Sequence, residues 1–341
     1  MSELRQDRTT GAWSIIAPNR GERPHDHSAG GEPCDSGKGD CPFCAGHEAA
    51  LPSITSEIGQ DAPPGWRVRT VPNLYPALGP ENRSNSEGRT NPDASTSREA
   101  VTGHRREPGE GRHEVIIDSP DHDADIPDFD DAQIAALMRM YHQRYVTLAA
   151  LPKIETVVLC RNHGRMAGAS LRHPHTQVLA LATVPPRVRS LVNWCRSAHR
   201  QTGYCPTCLE LAAEMRDGSR IIEVLDRFVV LVPYAASDPY ETWIVPREHQ
   251  ASFAAAEKAD LLELGEILRR STRRVKTVLG KSAAYNLVFD SAPERGSVGA
   301  FFHWKLRIVP AMVVRGGFEL GTDLPINPSS PEADARALRG A

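Results

Sequence analysis

Two histidines and a glutamine stand at alternate positions in SLRHPHTQVLA, residues 170–180. In an extended segment, residues 173, 175 and 177 face the same way, because strand side chains alternate between the two faces. A neutral imidazole can attack phosphorus and then leave, so His175 is a candidate nucleophile for two-step group transfer. Gln177 can donate a hydrogen bond to phosphoryl oxygens as negative charge builds on them. Pro174 has no backbone donor, which predicts a sheet edge or interruption that a substrate can approach.

Four of the seven cysteines form two C-x-x-C pairs, CPFC at 41–44 and CPTC at 205–208. Each pair is followed by one histidine before a predicted helix and by another in a predicted strand after it. Zinc favours four thiolate and imidazole ligands, and a complete four-ligand set is structural. The repeated pattern therefore predicts two structural Zn²⁺ sites, Cys41, Cys44, His122 and His173 in the first half and Cys205, Cys208, His249 and His303 in the second.

Several alternatives to these assignments stay open. The C-x-x-C pairs could form a redox site, with the histidines unrelated to them. In the first metal set, His47 and His113 compete with His122. His175 could be a further ligand or an ordinary strand histidine. Cys34, Cys160 and Cys195 show no ligand pattern and are expected to be packing or surface residues.

Composition excludes several classes of protein. The 341 residues carry a net charge of -3 and are 40% hydrophobic, which permits a sizeable core and gives no sign of a nucleic-acid or membrane surface. No apolar run approaches the length of about 20 residues that a membrane span needs. The N-terminal segment lacks an apolar signal core, so we expect a cytoplasmic protein.

The chain has the organisation of an internal duplication. Polar segments rich in Gly, Pro and Ser at 22–40 and 81–112 are expected to be loops. Elsewhere strand-like segments alternate with two clear helices, one beginning near Asp130 and one ending at Gly280. The cysteine and histidine pattern occurs once with each helix, which predicts two halves, 1–185 and 186–341. The halves differ in one respect, since His303 is followed two positions later by Lys305 and not by histidine.

The motifs around His175 resemble the galactose-1-phosphate uridylyltransferase family of the histidine-triad superfamily, including its ADP-glucose phosphorylase branch. The resemblance covers nearly the whole chain, in segments that follow the order of the family: RQDRTTGAWSIIAPNRGERP (5–24), CPFC (41–44), PNLYPAL (72–78), EVIIDSPDH (114–122), RNHGRMAGASLRHPHTQ (161–177), VPYAASDPYETWIVPREH (232–249) and GGFELGTDLPINP (316–328). The resemblance implies an α+β fold, with two histidine-triad-like halves that each contain an antiparallel sheet and a long helix. It also suggests a homodimer in which one chain's C-terminal loop completes the neighbour's site.

The resemblance also implies roles for individual residues. His175 matches the histidine that is nucleotidylated, and Gln177 matches the glutamine that steadies the intermediate. The eight cysteines and histidines named above match the two zinc sites. Further residues match positions that contact substrate: Arg20 and Arg23 for phosphates, Asn73 for the nucleoside, Asn162 near the phosphates, and Arg315, Phe318 and Glu319 for the sugar and its phosphate. The chain departs from the family at Thr176, where glycine or serine is usual, and at Asp290, where histidine is common.

Together these features predict a nucleotidyltransferase that works by ping-pong transfer through a nucleotidyl-histidine. The favoured reaction is uridylyl exchange between UDP-glucose and a hexose 1-phosphate such as galactose 1-phosphate. The first alternative is phosphorolysis of ADP-glucose, since the base and the sugar are open. Two other classes remain, a nucleotide-binding protein without turnover and a histidine-triad hydrolase. The expected partners are nucleotide sugars and hexose 1-phosphates, and neither nucleic acid nor membrane.

Overall fold

The computed structural model describes residues 3–16, 38–79 and 109–341. The strands in these ranges are β1 Glu3–Gln6, β2 Trp13–Ile16, β3 Ser56–Gly59, β4 Trp66–Pro72, β5 Gly111–Ile117, β6 Thr156–His163, β7 His175–Leu181, β8 Ile221–Val224, β9 Phe228–Leu231, β10 Thr242–Pro246, β11 Tyr285–Asp290, β12 Lys305–Pro310 and β13 Ile326–Asn327. The α-helices are α1 Asp131–Ala149, α2 Pro186–Thr202, α3 Pro206–Asp217, α4 Lys258–Leu279, α5 Gly317–Thr322 and α6 Pro331–Arg339.

Ten of the strands form one antiparallel sheet in the order β3-β4-β5-β7-β6-β11-β12-β10-β9-β8. Read inward from its two ends, this order gives the same five-strand arrangement twice, once from each half of the chain. The two copies meet where β6 pairs with β11, with His163 opposite Tyr285 and Cys160 opposite Val288. This pairing satisfies backbone groups that would otherwise lie at two open sheet edges.

The two long helices occupy equivalent places in the two copies, α1 between β5 and β6 and α4 between β10 and β11. The Asp130 side chain caps α1 by accepting a hydrogen bond of 2.6 Å from the Gln133 backbone N–H. Apolar side chains of both helices join the main core with the strands. The helices approach closely at Gly265, where an added Cβ would lie 3.1 Å from Met138 Cγ.

The predicted α+β class is confirmed, as are the antiparallel strands and the long helix of each half. The two predicted sheets are joined into a single sheet within the chain, a pairing that no local sequence signal reveals. His173 and His303, which the sequence predicted to lie within strands, each precede a strand by two residues. For β7 the reason is Pro174, which has no N–H to donate to the ladder.

The helices α2 and α3 lie between the two copies along the chain and were not predicted. A second, small sheet joins residues from both ends of the sequence, because β13 pairs in parallel with β2. This small sheet combines strands from both predicted halves and so does not locate a boundary between them. The predicted boundary between residues 185 and 186 stays a prediction. Among the described residues, no helix is both long enough and apolar enough to span a membrane.

Candidate active site and metal centres

The first metal centre is assembled from three separate segments of the chain. Cys41 Sγ and Cys44 Sγ each lie 3.6 Å from His173 Nδ1. Cys44 Sγ lies 3.3 Å from His122 Nδ1. His47 and His113 are not part of this group: His47 Nδ1 contacts the Cys41 carbonyl at 2.7 Å, and His113 lies beside Gln177. The predicted set of four is therefore the set that the fold brings together.

The second metal centre repeats this arrangement in the other half. Cys208 Sγ lies 3.3 Å from His249 Nδ1 and 3.5 Å from His303 Nδ1. Cys205 completes the group, in which all four ligand atoms lie within 4.8 Å of one another. Each C-x-x-C pair thus has one imidazole from the segment before the long helix and another from the segment that leads into the second strand after that helix.

Both groups fit zinc by donor chemistry and by spacing. Tetrahedral zinc, with bonds of about 2.3 Å to sulfur and about 2.0 Å to nitrogen, separates neighbouring S and N ligand atoms by about 3.6 Å. The S···N distances above lie close to this value. Burial raises the pKa of the Cys44 thiol to about 11, and a bound cation would hold it as the thiolate. The Nε2 atoms of His173 and His249 lie 2.8 and 2.6 Å from the carbonyls of Ser119 and Gly299, which directs both Nδ1 lone pairs at the centre.

The first metal centre also orients the candidate nucleophile. His175 is the first residue of β7, and its Nδ1 lies 2.9 Å from the carbonyl oxygen of His173. A carbonyl only accepts hydrogen bonds, so Nδ1 carries the proton and Nε2 keeps a free lone pair. Burial lowers the pKa of His175, which favours the neutral imidazole required for attack.

A cavity of about 180 Å³ opens beside His175 and Gln177. Its walls come mainly from two segments, residues 42–52 and 71–75, and are largely apolar. The Phe43 ring packs against both His175 and His173, with centroid distances of 5.5 and 5.9 Å. Because Phe43 stands between the two cysteines of CPFC, the first metal centre and the cavity share one loop.

Gln177 is held by His113, for which the sequence suggested only a possible role as a metal ligand. Its Oε1 lies 3.0 Å from His113 Nε2, and the same nitrogen lies 3.1 Å from Asn73 Nδ2. On the other side of the ring, His113 Nδ1 accepts a hydrogen bond of 3.1 Å from the Ala77 N–H. Strand alternation could have indicated this contact, because His113 lies on the same face of β5 as Val115, which lines the cavity and lies opposite Gln177 in the sheet.

Behind the nucleophile, the strand is fixed by a buried polar network. Thr176 Oγ1 donates to Asp118 Oδ2 at 3.1 Å and also bonds Tyr141 Oη. Arg161 Nε donates to the same Asp118 oxygen at 2.8 Å, and another Arg161 nitrogen lies 2.7 Å from Asp125 Oδ1. All five side chains are buried. Thr176, a departure from the family pattern, therefore has partners for its hydroxyl group.

The predicted substrate residues fall into three groups. Asn73 lines the cavity, and Asn162 lies on β6, where its Oδ1 accepts a 2.8 Å hydrogen bond from Asn286. Arg20 and Arg23 lie outside the described residues, as does Cys34. The remaining three predicted residues lie on or beside α5 and do not line the cavity of the same chain: Arg315, Phe318 and Glu319.

The position equivalent to His175 in the second half is occupied by Lys305, the first residue of β12. Lys305 is buried, with its Nζ 3.4 Å from Thr9 Oγ1 and 4.3 Å from the centre of the Trp243 ring. Asp290, the other departure, lies opposite Lys305 in the sheet and 3.7 Å from Arg307. The second half thus has the metal group without an imidazole nucleophile at the equivalent place.

Comparison with known proteins shows to which family the chain belongs. The family model described as galactose-1-phosphate uridyl transferase, N-terminal domain, matches residues 1–185. The chain belongs to the galactose-1-phosphate uridyl transferase family. Similar members include the ADP-glucose phosphorylase of Arabidopsis thaliana, 33% identical over 99% of this chain and 92% of that protein. The galactose-1-phosphate uridylyltransferase of Thermotoga maritima is 28% identical over 99% of this chain and 98% of that protein.

Solved structures of the family have the same fold along the whole chain. The crystal structure of the Arabidopsis thaliana ADP-glucose phosphorylase with bound ADP-glucose gives a TM-score of 0.83 at 30% identity and covers 100% of this chain and 99% of that one. A uridylyltransferase structure gives a TM-score of 0.71 at 23% identity and covers 100% of this chain and 98% of that one. The family's named enzymes are nucleotidyltransferases, and this confirms the predicted class.

Proposed function

We propose that this member of the family transfers a nucleotidyl group from a nucleotide sugar by double displacement through His175. The observation that carries the proposal is the arrangement of one imidazole. Its Nδ1 proton is committed to the His173 carbonyl, and its Nε2 lone pair is available beside an apolar-walled cavity. This arrangement suits attack on a phosphorus whose nucleoside occupies the cavity.

In the first step, His175 Nε2 forms a bond to the α-phosphorus of the nucleotide sugar. The bond from that phosphorus to the bridging oxygen breaks, and hexose 1-phosphate leaves with the electron pair. The substituted imidazole becomes cationic, and its Nδ1–H then makes a stronger, charge-assisted hydrogen bond to the His173 carbonyl. Of the buried groups near the ring, Asp118 favours its positive charge and Arg161, which is paired with Asp118, opposes it.

In the second step, a phosphate oxygen of the acceptor attacks the same phosphorus and His175 leaves as neutral imidazole. With UDP-glucose as donor and galactose 1-phosphate as acceptor, the result is uridylyl exchange, the reaction for which most of the similar curated proteins are named. Gln177 would direct its amide N–H at the phosphoryl oxygens in both steps. Catalysis then depends mainly on position and on oriented donors.

A second candidate is phosphorolysis of ADP-glucose, in which inorganic phosphate takes an adenylyl group from His175. It is favoured by the similarity to the Arabidopsis thaliana ADP-glucose phosphorylase, which exceeds the similarity to the Thermotoga maritima uridylyltransferase in sequence identity. Both candidates use the same first step and the same nucleophile. They differ in the base that enters the cavity and in the acceptor.

The other predicted residues complete the proposal. Arg20 and Arg23 would bind phosphates, because the guanidinium group offers a fixed fork of donors. Asn73 would contact the nucleoside and Asn162 the phosphates. Since α5 is exposed and away from the cavity of its own chain, we propose a homodimer in which three residues read the sugar and its phosphate at the neighbour's site: Arg315, Phe318 and Glu319.

We propose Zn²⁺ as the ion of both metal centres. When bound, it would tie each C-x-x-C loop to the sheet and would take no part in making or breaking bonds to phosphorus. Cys41, Cys44, His122 and His173 would hold one ion, and Cys205, Cys208, His249 and His303 the other.

Isotope exchange between glucose 1-phosphate and the nucleotide sugar tests the first step, with neither galactose 1-phosphate nor inorganic phosphate present. The purified protein is incubated with UDP-glucose and isotopically labelled glucose 1-phosphate, and in parallel with ADP-glucose and the same label. Label that appears in the nucleotide sugar supports a covalent intermediate and identifies the base. If neither donor exchanges while both bind, the chain is a nucleotide-binding protein, and if free nucleotide accumulates it is a hydrolase.

A further inference from the structure

The hydrogen bonds of His113 determine which of its ring nitrogens carries the proton. The Ala77 backbone N–H can only donate, so His113 Nδ1 accepts at 3.1 Å and must be unprotonated. The neutral ring then carries its proton on Nε2. That N–H donates to Gln177 Oε1, 3.0 Å away, because the amide oxygen is the acceptor of the two Gln177 groups.

This assignment fixes the orientation of the Gln177 amide. With Oε1 engaged by His113, the NH₂ group of Gln177 is turned away from the imidazole ring. Gln177 is half-buried and lines the cavity beside His175. Its two amide hydrogens are therefore available to the oxygens of a phosphoryl group that binds there, as the proposed reaction requires.

The same imidazole holds the loop that forms one wall of the cavity. The Ala77 N–H bonds His113 Nδ1, and the Asn73 N–H bonds the His113 carbonyl at 2.9 Å. Within the loop, Tyr75 N–H donates to Asn73 Oδ1 at 2.8 Å. Tyr75 and Leu74 are otherwise exposed, at 85% and 61%, so these bonds rather than burial hold the wall in place.

The bond from Tyr75 also fixes the orientation of the Asn73 amide. Since Oδ1 accepts from Tyr75, the Asn73 amide nitrogen is the group that lies 3.1 Å from His113 Nε2. Both nitrogens are donors in the tautomer assigned above, so they do not bond each other. The Asn73 amide hydrogens can instead bond a ligand in the cavity, which Asn73 lines.

We propose that His113 is a positioning residue with two separable functions: its Nε2–H orients Gln177 for the phosphoryl group, and its Nδ1 holds the residue 73–77 loop against the nucleoside. The proposal rests on the proposed function, because it assigns a role in the same reaction. His113 itself touches neither the reacting atoms nor the metal centres.

Two substitutions separate the two functions. In His113→Asn, the side-chain oxygen lies near the former Nδ1 and can accept from Ala77, but nothing reaches Gln177. In His113→Gln, the side-chain nitrogen lies near the former Nε2 and can donate to Gln177, but the Ala77 acceptor is lost. A residue with only a structural role would give similar losses in both variants.

The experiment is rapid-quench measurement of nucleotidyl-enzyme formation from whichever of UDP-glucose and ADP-glucose labels the unchanged protein. For His113→Asn we expect the saturating rate to fall by about 10²-fold, as for loss of one oriented donor, with the half-saturating concentration little changed. For His113→Gln we expect the half-saturating concentration to rise by about tenfold with the saturating rate nearly kept. Adding His113→Asn to Gln177→Ala should slow the reaction no further, because both changes remove the same donor.

Equal changes in both variants, or multiplicative effects of His113→Asn and Gln177→Ala, would overturn the proposal. If either variant does not fold, the kinetic comparison is replaced by ¹⁵N NMR spectra of the unchanged protein with labelled histidine. The His113 ring must then show a protonated Nε2 and an unprotonated Nδ1. The opposite tautomer refutes the proposal. This readout needs no turnover. An unchanged protein that forms no adduct with either donor would therefore contradict the proposed function while the tautomer still decides the role of His113.

Discussion

The two halves of the chain build the same metal centre and continue from it with different residues. In the first half the strand after the centre begins with His175, and in the second half the equivalent strand begins with Lys305. The duplicated unit therefore supplies the scaffold twice and the proposed nucleophile once. The comparison separates what the fold needs from what the chemistry needs.

The surroundings of the two metal centres also differ between the two halves. His122 is buried at the first centre, whereas its counterpart His249 is exposed. The His173 Nε2 donates to Ser119, whereas the buried His303 Nε2 has no hydrogen-bond partner among the described residues. Behind the strands, Thr176 joins a polar network and its counterpart Leu306 packs in the apolar core. The half that carries His175 has the more tightly oriented centre.

The largest expected effect comes from the residues that differ most. His175→Ala should lower nucleotidyl transfer by about 10³-fold or more, because no other group can form the covalent intermediate. Lys305→Met, at the equivalent position, keeps the apolar stem under Trp243 and should leave the turnover rate nearly unchanged. Steady-state rates of both variants, with melting curves as a control for folding, make the comparison. Loss of activity in Lys305→Met alone would reverse the roles assigned to the two halves.

Loss of the metal centres should have unequal consequences. Cys44→Ala should lower transfer by about 10–100-fold, since the CPFC loop carries Phe43 against His175 and His173 holds the His175 ring. Cys208→Ala should lower the melting temperature and leave the activity of the folded protein nearly intact. Metal analysis should give two zinc ions in the unchanged chain and one in each variant. Equal losses of activity would show that both centres support the site alike.

The smallest effect is expected behind the catalytic strand. Thr176→Val removes the donor to Asp118 and the partner of Tyr141, and should lower the free energy of unfolding by about 1–3 kcal/mol. Thr176→Ser retains the hydroxyl group and should cost less. Denaturant titration of both variants measures the difference. If the Thr176→Val variant is as stable as the unchanged protein, the polar network does not need the hydroxyl group.

The sequence predicted the parts of the site whose residue types repeat at matching spacings. Both metal groups follow from such a repeat, and the structure brings each predicted metal set together. His175 and Gln177 were predicted from the single segment 173–177, and their catalytic roles stay predictions. The role proposed for His113 could be predicted only in part: strand alternation puts His113 on the face of Val115, but the direction of the Ala77 N–H has no sequence signal. The pairing of β6 with β11 at the edges of the two halves was not predicted either, since backbone groups pair without a side-chain signature.

Helices α2 and α3 were not predicted, although the sequence contains signals for both. Each helix has a proline at its start and is followed by a glycine in the left-handed conformation, Gly203 and Gly218.

The most direct test of the account is the mass of the intact protein after brief exposure to UDP-glucose and ADP-glucose without an acceptor, followed by peptide mapping. We expect one nucleotidyl adduct on His175, present also in Lys305→Met, absent from His175→Ala, and discharged by a hexose 1-phosphate or by phosphate. An adduct that persists in His175→Ala, or that maps to the second half, would contradict the assignment of the chemistry to the first.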